Sequence, residues 1–244
     1  MIKIEHLTKT FNDLVAVDDL SLEIPQGEFF TFLGPNAAGK TTTIKSLVGL
    51  LRPTSGRIFV GGYDVQKDYI QAKALISYIP DFPFLYDKLT AREFLDFIDG
   101  LYPGRNNPGQ EALKSELLRA FGLKAHQDKL IENYSHGMRQ KLVFAAAFLH
   151  EPRVMIIDEP MVGLDPHSVH LVKDMLKKKA KEGVTIFLST HTLSIAEELS
   201  DRIGIIDKGK LIALGTLGEL GQAAGSGVNL EDIFLRLTEE ELSA

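Results

Sequence analysis

The sequence contains no cysteine and no tryptophan. Without cysteine the chain forms neither a disulfide nor a thiolate metal site, which is typical of proteins of a reducing cytoplasm. No apolar run reaches the ~18 to 20 residues needed to cross a bilayer, since the longest uncharged one spans only Leu142 to Leu149. We therefore expect no membrane-spanning helix. We also expect no signal peptide, because charged side chains occur at Lys3 and Glu5.

Charge and length narrow the class of protein further. The 244 residues carry a formal net charge of −6, which disfavours bulk binding to nucleic acid. A hydrophobic fraction of 44% is sufficient for a packed interior. A chain of this length forms one large domain or a core with a subdomain.

A glycine-rich segment is the strongest local pattern. It follows the apolar run Phe29–Leu33, precedes a helix-like stretch that begins at Thr42, and fits the phosphate-binding pattern G-x-x-x-x-G-K-[ST]. A strand that ends in such a turn directs backbone N–H groups and a helix N-terminus at one point, which suits a triphosphate. Lys40 would then reach the β- and γ-phosphates, and the Thr41 hydroxyl would hold Mg²⁺. The alternative is a glycine turn that happens to precede a lysine. The segment comprises Gly34, Pro35, Asn36, Ala37, Ala38, Gly39, Lys40 and Thr41.

Polar residues follow two further apolar runs. Asp158 and Glu159 come after Val154–Ile157. Ligands of open α/β sheets lie beyond the carboxyl ends of strands, so Asp158 is placed to hold Mg²⁺ and Glu159 to take a proton from an attacking water. The alternative is a solvated acidic pair. His191 ends the run Val184–Thr190, where an imidazole can bind the γ-phosphate or orient the water, although a lone histidine after a strand is more often structural.

Strand-like and helix-like segments alternate along the chain, which predicts an α/β fold. A mostly helical stretch at 90–150, broken by a loop-like segment at 102–109, interrupts this alternation. We therefore divide the chain into a phosphate-loop core with an antiparallel β subdomain (1–86 and 150–220), a helical subdomain (87–149), and a C-terminal segment (221–244) that consists of a linker (221–228) and a short helix. The predicted strands are Ile2–Leu7, Leu20–Ile24, Glu28–Leu33 and Arg57–Val60, the early ones antiparallel, then Ile76–Ile79, Val154–Ile157, Val184–Leu188 and Arg202–Ile206; predicted helices include 138–150, 166–181 and 230–237.

These pieces together resemble the ATP-binding cassette (ABC) ATPases, from about residue 2 to residue 217. The resemblance implies an α/β fold with a P-loop NTPase (RecA-like) core, an antiparallel β subdomain and an inserted α-helical subdomain, and it implies ATP hydrolysis. The matching positions are Gly34–Thr42 (phosphate loop), Val154–Glu159 (acidic strand), Tyr134–Met138 (similar to the signature Leu-Ser-Gly-Gly-Gln), Leu164 and Asp165 (D-loop), His191 (switch histidine) and Phe11 (the aromatic residue that stacks on adenine).

The resemblance also implies how the chain assembles. In the family, two cassettes enclose two ATP molecules, and the signature of one cassette completes the phosphate site of the other. A hydroxyl and free N–H groups at a helix start attract an anion, and Ser135 can cap its own helix at the same time. The implied partner is a second copy of this chain or a paralogous cassette, and the implied ligands are ATP and Mg²⁺. The signature residues are Ser135, His136, Gly137 and Met138.

Several positions depart from the usual family pattern. Ala37 replaces a glycine, which costs roughly 1 kcal/mol if the position needs a positive φ and is harmless otherwise. Asp81 stands where the family has a glutamine that touches Mg²⁺; it either holds a metal-bound water or is a turn residue between two prolines. Phe11 either stacks on adenine or packs into the N-terminal sheet. In the signature, His136 and Met138 replace glycine and glutamine.

The signature form, the acid at 81 and the ending 230–238 resemble exporter-type bacterial cassettes, which dock beneath a separately encoded permease. We therefore expect a cytoplasmic ATPase subunit, held on the cytoplasmic face of the inner (plasma) membrane by an integral-membrane permease, with no nucleic-acid partner. Coupling is expected near Phe82–Leu89 and Glu93, where apolar side chains at Phe82, Phe84, Leu85 and Tyr86 fit either a docking surface or local core packing.

Three alternatives remain. A soluble ABC ATPase acting on ribosomes or DNA is disfavoured, because the chain has one cassette, no sustained heptads and no basic stripe. A nucleotide-gated binding switch with weak or no hydrolysis is disfavoured by the presence of Lys40, Glu159 and His191. A kinase that uses the phosphate loop would not need Ser135, Gly137 or Asp165.

Overall fold

The computed structural model describes residues 1–102, 109–161, 163–223 and 229–239. They form two β-sheets with helices packed on and beside them. The strands are β1 (Ile2–Phe11), β2 (Leu14–Ile24), β3 (Phe29–Leu33), β4 (Ser55–Val60), β5 (Tyr63–Asp64), β6 (Ile76–Ile79), β7 (Val154–Asp158), β8 (Thr185–Thr190), β9 (Arg202–Asp207) and β10 (Lys210–Gly215). The helices are α1 (Lys40–Leu47), α2 (Tyr69–Leu75), α3 (Ala91–Gly100), α4 (Gly109–Ala120), α5 (His136–Leu149), α6 (Pro166–Lys181), α7 (Leu193–Leu199), α8 (Leu217–Ala223) and α9 (Leu230–Glu239).

The larger sheet carries the parallel strands of the core. Its order is β10-β9-β3-β8-β7-β6, and every neighbouring pair is parallel except β10 with β9. Both β3 and β7 are buried along their whole length, as expected for strands of a sheet covered on both faces. Phe30, Phe32 and Phe187 pack together, with ring centroids 5.4 to 6.3 Å apart. Because parallel strands end at the same edge, the residues that follow β3, β7 and β8 lie close together.

The smaller sheet is antiparallel and has the order β2-β1-β4-β5. Its buried residues Ile4 and Ile58 belong to the same core cluster as Phe32 of the larger sheet and Ile44 of α1. The β1–β2 hairpin continues to the pair Phe11–Leu14, beyond the predicted end of the first strand. This extension carries the tip of the hairpin past the packed interior.

The helical part consists of α3, α4 and α5, which share one core cluster. Helix α3 begins with a capping box between Thr90 and Glu93. Lys114 of α4 ties α3 to α4, since its Nζ lies 2.8 Å from Asp96, 3.0 Å from Asp99 and 3.0 Å from Glu111. Burial alone would lower the pKa of Lys114, but the hydrogen bonds that its ammonium donates to the three carboxylates outweigh burial and raise this pKa above its ordinary value.

The α/β class, the antiparallel β subdomain and the helical insert predicted from the sequence are confirmed. The strand predicted at 28–33 was wrongly grouped with the antiparallel strands, since β3 lies in the middle of the parallel sheet. Helices α2, α7 and α8 and strands β5 and β10 were not predicted. Gly109 of the predicted loop begins α4, and residues 103–108 lie outside the described part of the chain. Residues 221–223 of the predicted linker form the end of α8, and residues 224–228 lie outside the described part of the chain. Within the described ranges, no helix is long and apolar enough to cross a bilayer.

Candidate nucleotide site

The glycine-rich loop joins the end of β3 to the start of α1. Both of its glycines are required by close backbone approaches. A Cβ atom on Gly34 would lie 2.4 Å from the Ile206 carbonyl oxygen, and one on Gly39 would lie 2.5 Å from that of Ala16. Gly39 also has a φ of 105°, a conformation that L side chains rarely adopt. The loop is therefore held tightly against β9 and β2, with its free N–H groups left at the start of α1.

Ala37 adopts a left-handed conformation, with a φ of 65°. Position 37 therefore needs a positive φ, which is the alternative in which alanine in place of glycine is strained. The cost of an alanine in this conformation is about 1 kcal/mol. Ala37 is exposed, so packing does not compensate for this cost.

Lys40 folds back over the loop and is 6% exposed. Its Nζ donates hydrogen bonds to the carbonyl oxygens of Gly34 at 2.7 Å and Pro35 at 3.0 Å. It also lies 3.5 Å from Glu159 Oε1. The structure thus places the loop cation and the candidate base at one point, although they are far apart in the sequence.

Asp158 is fully buried at the end of β7. Ser189 Oγ donates a hydrogen bond to its Oδ1, whereas its Oδ2 is buried and has no hydrogen-bond partner among the described residues. A carboxylate oxygen of this kind suits a hard cation such as Mg²⁺. Within the described ranges no three His, Cys, Asp or Glu side chains form a metal cluster. Mg²⁺ does not need such a cluster, because it is commonly held by one or two carboxylates together with phosphates and waters. The donor set therefore fits Mg²⁺.

Glu159 and His191 form a close pair. His191 Nδ1 lies 2.9 Å from Glu159 Oε1. The Glu159 backbone has a φ of 47° and its N–H donates to the Ser189 carbonyl at 3.2 Å. A non-glycine residue in this conformation costs on the order of 1 to 3 kcal/mol, and such strain is concentrated at functional sites. The carboxylate is thus held against the edge of the sheet by a conformation that the sequence does not favour.

Asp81 lies near the two carboxylates and is partly buried. Burial raises the pKa of Asp81 above its ordinary value, and the charges of Asp158 and Glu159 raise it further. Burial, with the charge of Asp158 added, also raises the pKa of Tyr78 to about 12. A third carboxylate at this place concentrates negative charge, which a divalent cation would relieve.

An open cleft of about 560 Å³ contains most of the predicted nucleotide-binding residues. Phe11 at its rim is 41% exposed, and Lys9 Nζ lies 4.9 Å from the centre of its ring. The exposed face favours stacking over packing into the sheet. The other two residues of the loop do not line the cleft: Gly34 is buried and Pro35 is half-buried. The predicted residues in the cleft are Phe11, Asn36, Ala37, Ala38, Gly39, Lys40, Thr41, Thr42, Asp81 and Glu159.

The signature residues lie at the start of α5 and do not line this cleft. Ser135 caps the helix, with its Oγ accepting a hydrogen bond from the Met138 N–H at 3.3 Å. Ser135 and His136 are exposed, and Gly137 and Met138 are half-buried. A Cβ atom on Gly137 would lie 3.1 Å from the Gly163 carbonyl oxygen. Helix α5 thus begins at His136, two residues before the predicted start at Met138. The signature lies at the surface of the chain.

Asp165 precedes α6 and caps it. Its Oδ1 accepts a hydrogen bond from the Ser168 N–H at 2.9 Å, and its Oδ2 accepts one from Lys141 Nζ at 2.8 Å. The Lys141 ammonium, followed by the bonds from Ser168, holds the pKa of the Asp165 carboxyl well below its usual range.

The family follows from the comparison with known proteins. The family model described as ABC transporter matches residues 17–162. The chain belongs to the ABC transporter family. Within it, the chain is an ATP-binding and ATP-hydrolysing subunit.

Several relatives of this ABC subunit match nearly its whole length. It is 37% identical over 238 residues to the linearmycin resistance ATP-binding protein of Bacillus subtilis (strain 168), covering 98% of this chain and 75% of the relative. It is 38% identical over 239 residues to the daunorubicin/doxorubicin resistance ATP-binding protein of Streptomyces peucetius, covering 97% and 72%. It is 41% identical over 213 residues to the bacitracin transport ATP-binding protein of Bacillus licheniformis, covering 87% and 68%.

Solved structures share its fold. An ATP-binding subunit of an ABC transporter has a TM-score of 0.92 at 33% identity, with 97% of this chain and 99% of the other covered. A dimeric ATP-binding cassette in a post-hydrolysis state, bound to ADP and Pi, has a TM-score of 0.81 at 23% identity, with coverage of 89% and 99%. The second likeness concerns the fold alone.

Sequence reasoning missed one wall of the cleft in this ABC subunit. This wall is formed by Leu14, Val15 and Ala16 of the β1–β2 hairpin and by Lys208 and Gly209 of the β9–β10 turn. The turn is fixed in place, because the Gly209 N–H donates to the Ala38 carbonyl at 2.9 Å. The only sequence signal was the Lys-Gly pair, which is typical of a turn between strands.

Proposed function

We propose that two copies of this chain, or this chain and a paralogous cassette, enclose two molecules of Mg·ATP. The proposal is supported by the position of the signature, which is exposed but lies outside its own cleft. A helix N-terminus with a capping serine attracts an anion, and a second cassette brings one to it. Each site then combines the loop of one chain with Ser135, His136, Gly137 and Met138 of the other.

Within each site we propose the following division of roles. Lys40 binds the β- and γ-phosphates, and Phe11 stacks on adenine. Asp158 and Thr41 would hold Mg²⁺, and Asp81 would contact the bound ion through a water; an ion held there would supply positive charge against the phosphates. Glu159 accepts the proton of the attacking water, and His191 orients the Glu159 carboxylate through its 2.9 Å contact.

We propose further that the cassette powers a separate integral-membrane permease, in the direction of export. The names of the relatives that refer to drug resistance and to bacitracin transport support this class. Phe82 is 77% exposed, Phe84 80% and Tyr86 49%, which favours a docking surface for an apolar partner. For Leu85 the other alternative, core packing, holds, since it is 8% exposed and belongs to the core. Docking there would hold the cassette at the cytoplasmic face of the membrane.

The single observation that carries the proposal is the separation of the exposed signature from the cleft of its own chain. Mixed dimers purified through two affinity tags test it. One subunit carries Glu159→Gln, so turnover comes from the site that uses the other subunit's loop. Adding Ser135→Ala to the Glu159→Gln subunit is expected to abolish most of this turnover, whereas adding it to the other subunit is expected to leave turnover nearly unchanged. The reverse pattern would show that the signature serves its own chain.

Affinity purification from solubilised membranes tests the permease. The tagged chain is expected to co-purify with one integral-membrane protein, and the double variant Phe82→Ser, Phe84→Ser is expected to lose it while keeping its ATPase activity. The matched control is Tyr69→Ser, because Tyr69 is also exposed, at 54%, but on α2. Retention of the membrane protein by the double variant would place docking elsewhere. Recovery of ribosomes or DNA instead would favour a soluble ABC ATPase.

A further inference from the structure

Helix α5, which begins with the signature, contacts both ends of the segment that follows Glu159. At the near end, Gln140 Nε2 donates a hydrogen bond to the Pro160 carbonyl at 3.4 Å. At the far end, Lys141 Nζ lies 2.8 Å from Asp165 Oδ2. Gln140 and Lys141 are consecutive residues, so one turn of the helix holds this segment at two points.

The contact of Gln140 with Pro160 is buried, whereas Lys141 pairs with an Asp165 carboxylate whose side chain is 51% exposed. Gln140 is 1% exposed, and the side chain of Lys141 is 20% exposed. A charge-assisted hydrogen bond such as that between Lys141 and Asp165 is roughly twice as strong as a neutral one. The bond from Gln140 is long, but a buried amide whose partner is removed incurs a desolvation penalty. Movement of the helix start is therefore resisted at Pro160 and at Asp165.

The near contact lies one residue from the strained position. Glu159 has a φ of 47°, and a backbone in this region persists only when its surroundings enforce it. Four contacts described above surround it: its N–H donates to the Ser189 carbonyl, its carboxylate lies against His191 and Lys40, and Gln140 donates to the next carbonyl. Ser189 lies in β8, His191 follows it and Lys40 begins α1, whereas Gln140 belongs to α5.

We propose that Gln140 and Lys141 are positioning residues that set Glu159 according to the state of the signature helix in the same chain. This inference rests on the proposed two-chain site. When the signature binds the nucleotide of the partner's loop, α5 is fixed, and the two contacts fix the segment that follows Glu159. The position of Glu159 in one site then depends on whether ATP is bound in the other site. The connection between the two sites runs through Gln140 and Lys141 within a single chain.

Single variants test the link first. Lys141→Met is expected to lower kcat roughly 10-fold or more, because small displacements of catalytic groups have effects of this size. The affinity for ATP should change less than twofold, and Lys141→Arg should restore most of the rate. Asp165→Asn keeps an acceptor for the cap of α6 and is expected to lower kcat similarly, with little further loss in the double variant. Arg139→Met is the matched control, since it removes a neighbouring ion pair of α5 with Asp87 at 2.7 Å and should leave kcat unchanged.

Mixed dimers then locate the defect. One subunit again carries Glu159→Gln, so the working base is in the other subunit. Lys141→Met in the subunit with the working base is expected to give the full loss, and Lys141→Met in the Glu159→Gln subunit should give almost none. The opposite pattern would mean that Lys141 acts through the signature on the partner's nucleotide, and it would overturn the proposal.

Two measurements keep these outcomes distinct. Thermal unfolding of each variant identifies a general loss of stability; if Lys141→Met is unstable, Gln140→Met replaces it in the same mixed dimers, with the same expected pattern. Ser135→Ala in the Glu159→Gln subunit tests the two-chain site separately. If Ser135→Ala has no effect there, the proposed function fails. If it has its effect but Lys141→Met lowers neither kcat nor the rate of the mixed dimer, only the link is wrong.

Discussion

His191 Nδ1 lies 2.9 Å from Oε1 of Glu159, a residue whose backbone is held at a φ of 47°. The same carboxylate oxygen lies 3.5 Å from Lys40 Nζ. A single oxygen thus has a cation of the phosphate loop on one side and an imidazole on the other. This arrangement supports Glu159 as the proton acceptor, because its position is fixed relative to both the phosphate site and the end of β8.

Glu159→Gln is expected to bind ATP and to hydrolyse it ~10²-fold or more slowly, because an amide cannot accept the proton of the attacking water. The variant should accumulate as an ATP-dependent dimer. Phosphate release and size-exclusion chromatography with and without ATP measure the two effects. Near-normal turnover would remove Glu159 from the role of base.

Phe11→Ala is expected to weaken ATP binding about 5- to 10-fold, since aromatic stacking contributes about 1 kcal/mol. Phe11→Tyr should keep the wild-type affinity, because it keeps the ring. Competition with inorganic tripolyphosphate is the control: it has no base to stack, so its affinity should be equal in wild type and variant. An equal loss for both ligands would show that the substitution disturbs the phosphate loop instead.

Ala37→Gly is expected to raise the free energy of unfolding by about 1 kcal/mol, because glycine adopts a positive φ without steric cost. The neighbouring substitution Ala38→Gly is the matched control. Ala38 is buried at 3% exposure and does not have a positive φ, so this change should lower stability by roughly 0.5 to 1 kcal/mol. Urea denaturation measures both. Destabilisation by both substitutions would contradict the assigned strain at Ala37.

Asp81→Asn is expected to stabilise the protein at neutral pH in the absence of Mg²⁺. The pKa of Asp81 in the folded protein lies above its ordinary value of 3.8, so the folded state binds this proton more tightly than the unfolded chain. Ionisation therefore costs stability as pH rises from 3.8 through the folded-state pKa. The increase in the free energy of unfolding caused by Asp81→Asn should be complete above the folded-state pKa of Asp81 and should shrink as pH falls below it. Urea denaturation from pH 7.5 downward measures this dependence, with the exposed Asp13→Asn as a control for net charge.

Local patterns in the sequence predicted those parts of the candidate site that directly follow the ends of strands. A run of buried residues followed by Asp158 and Glu159, or by His191, places these groups at one sheet edge, because parallel strands share their direction. The glycine loop was predictable for the same reason. The positive φ of Ala37 was only one of two alternatives, since its cause is the path of the loop against β2 and β9.

Other parts depend on contacts that no local pattern contains. The wall formed by Ala16 and Lys208 arises because two hairpins meet beside the loop. The burial of Leu85 could not be distinguished from the exposure of Phe84, because both belong to one short apolar stretch without a regular period. The partially exposed pattern of β10 gave no clear alternation, and the strand was missed.

The bonds of Lys114 have a consequence for the connectivity of the helical part. Because this side chain joins Asp96 and Asp99 of α3 to Glu111 of α4, the two helices are held together independently of the peptide that runs from one to the other. A protease nick between Tyr102 and Gly109, or new chain ends created there by circular permutation, should therefore leave a protein that still migrates as one species under native conditions. Because α3, α4 and α5 also share one core cluster, Lys114→Met combined with the nick should lower the unfolding temperature without separating the helices, which circular dichroism and native electrophoresis would detect.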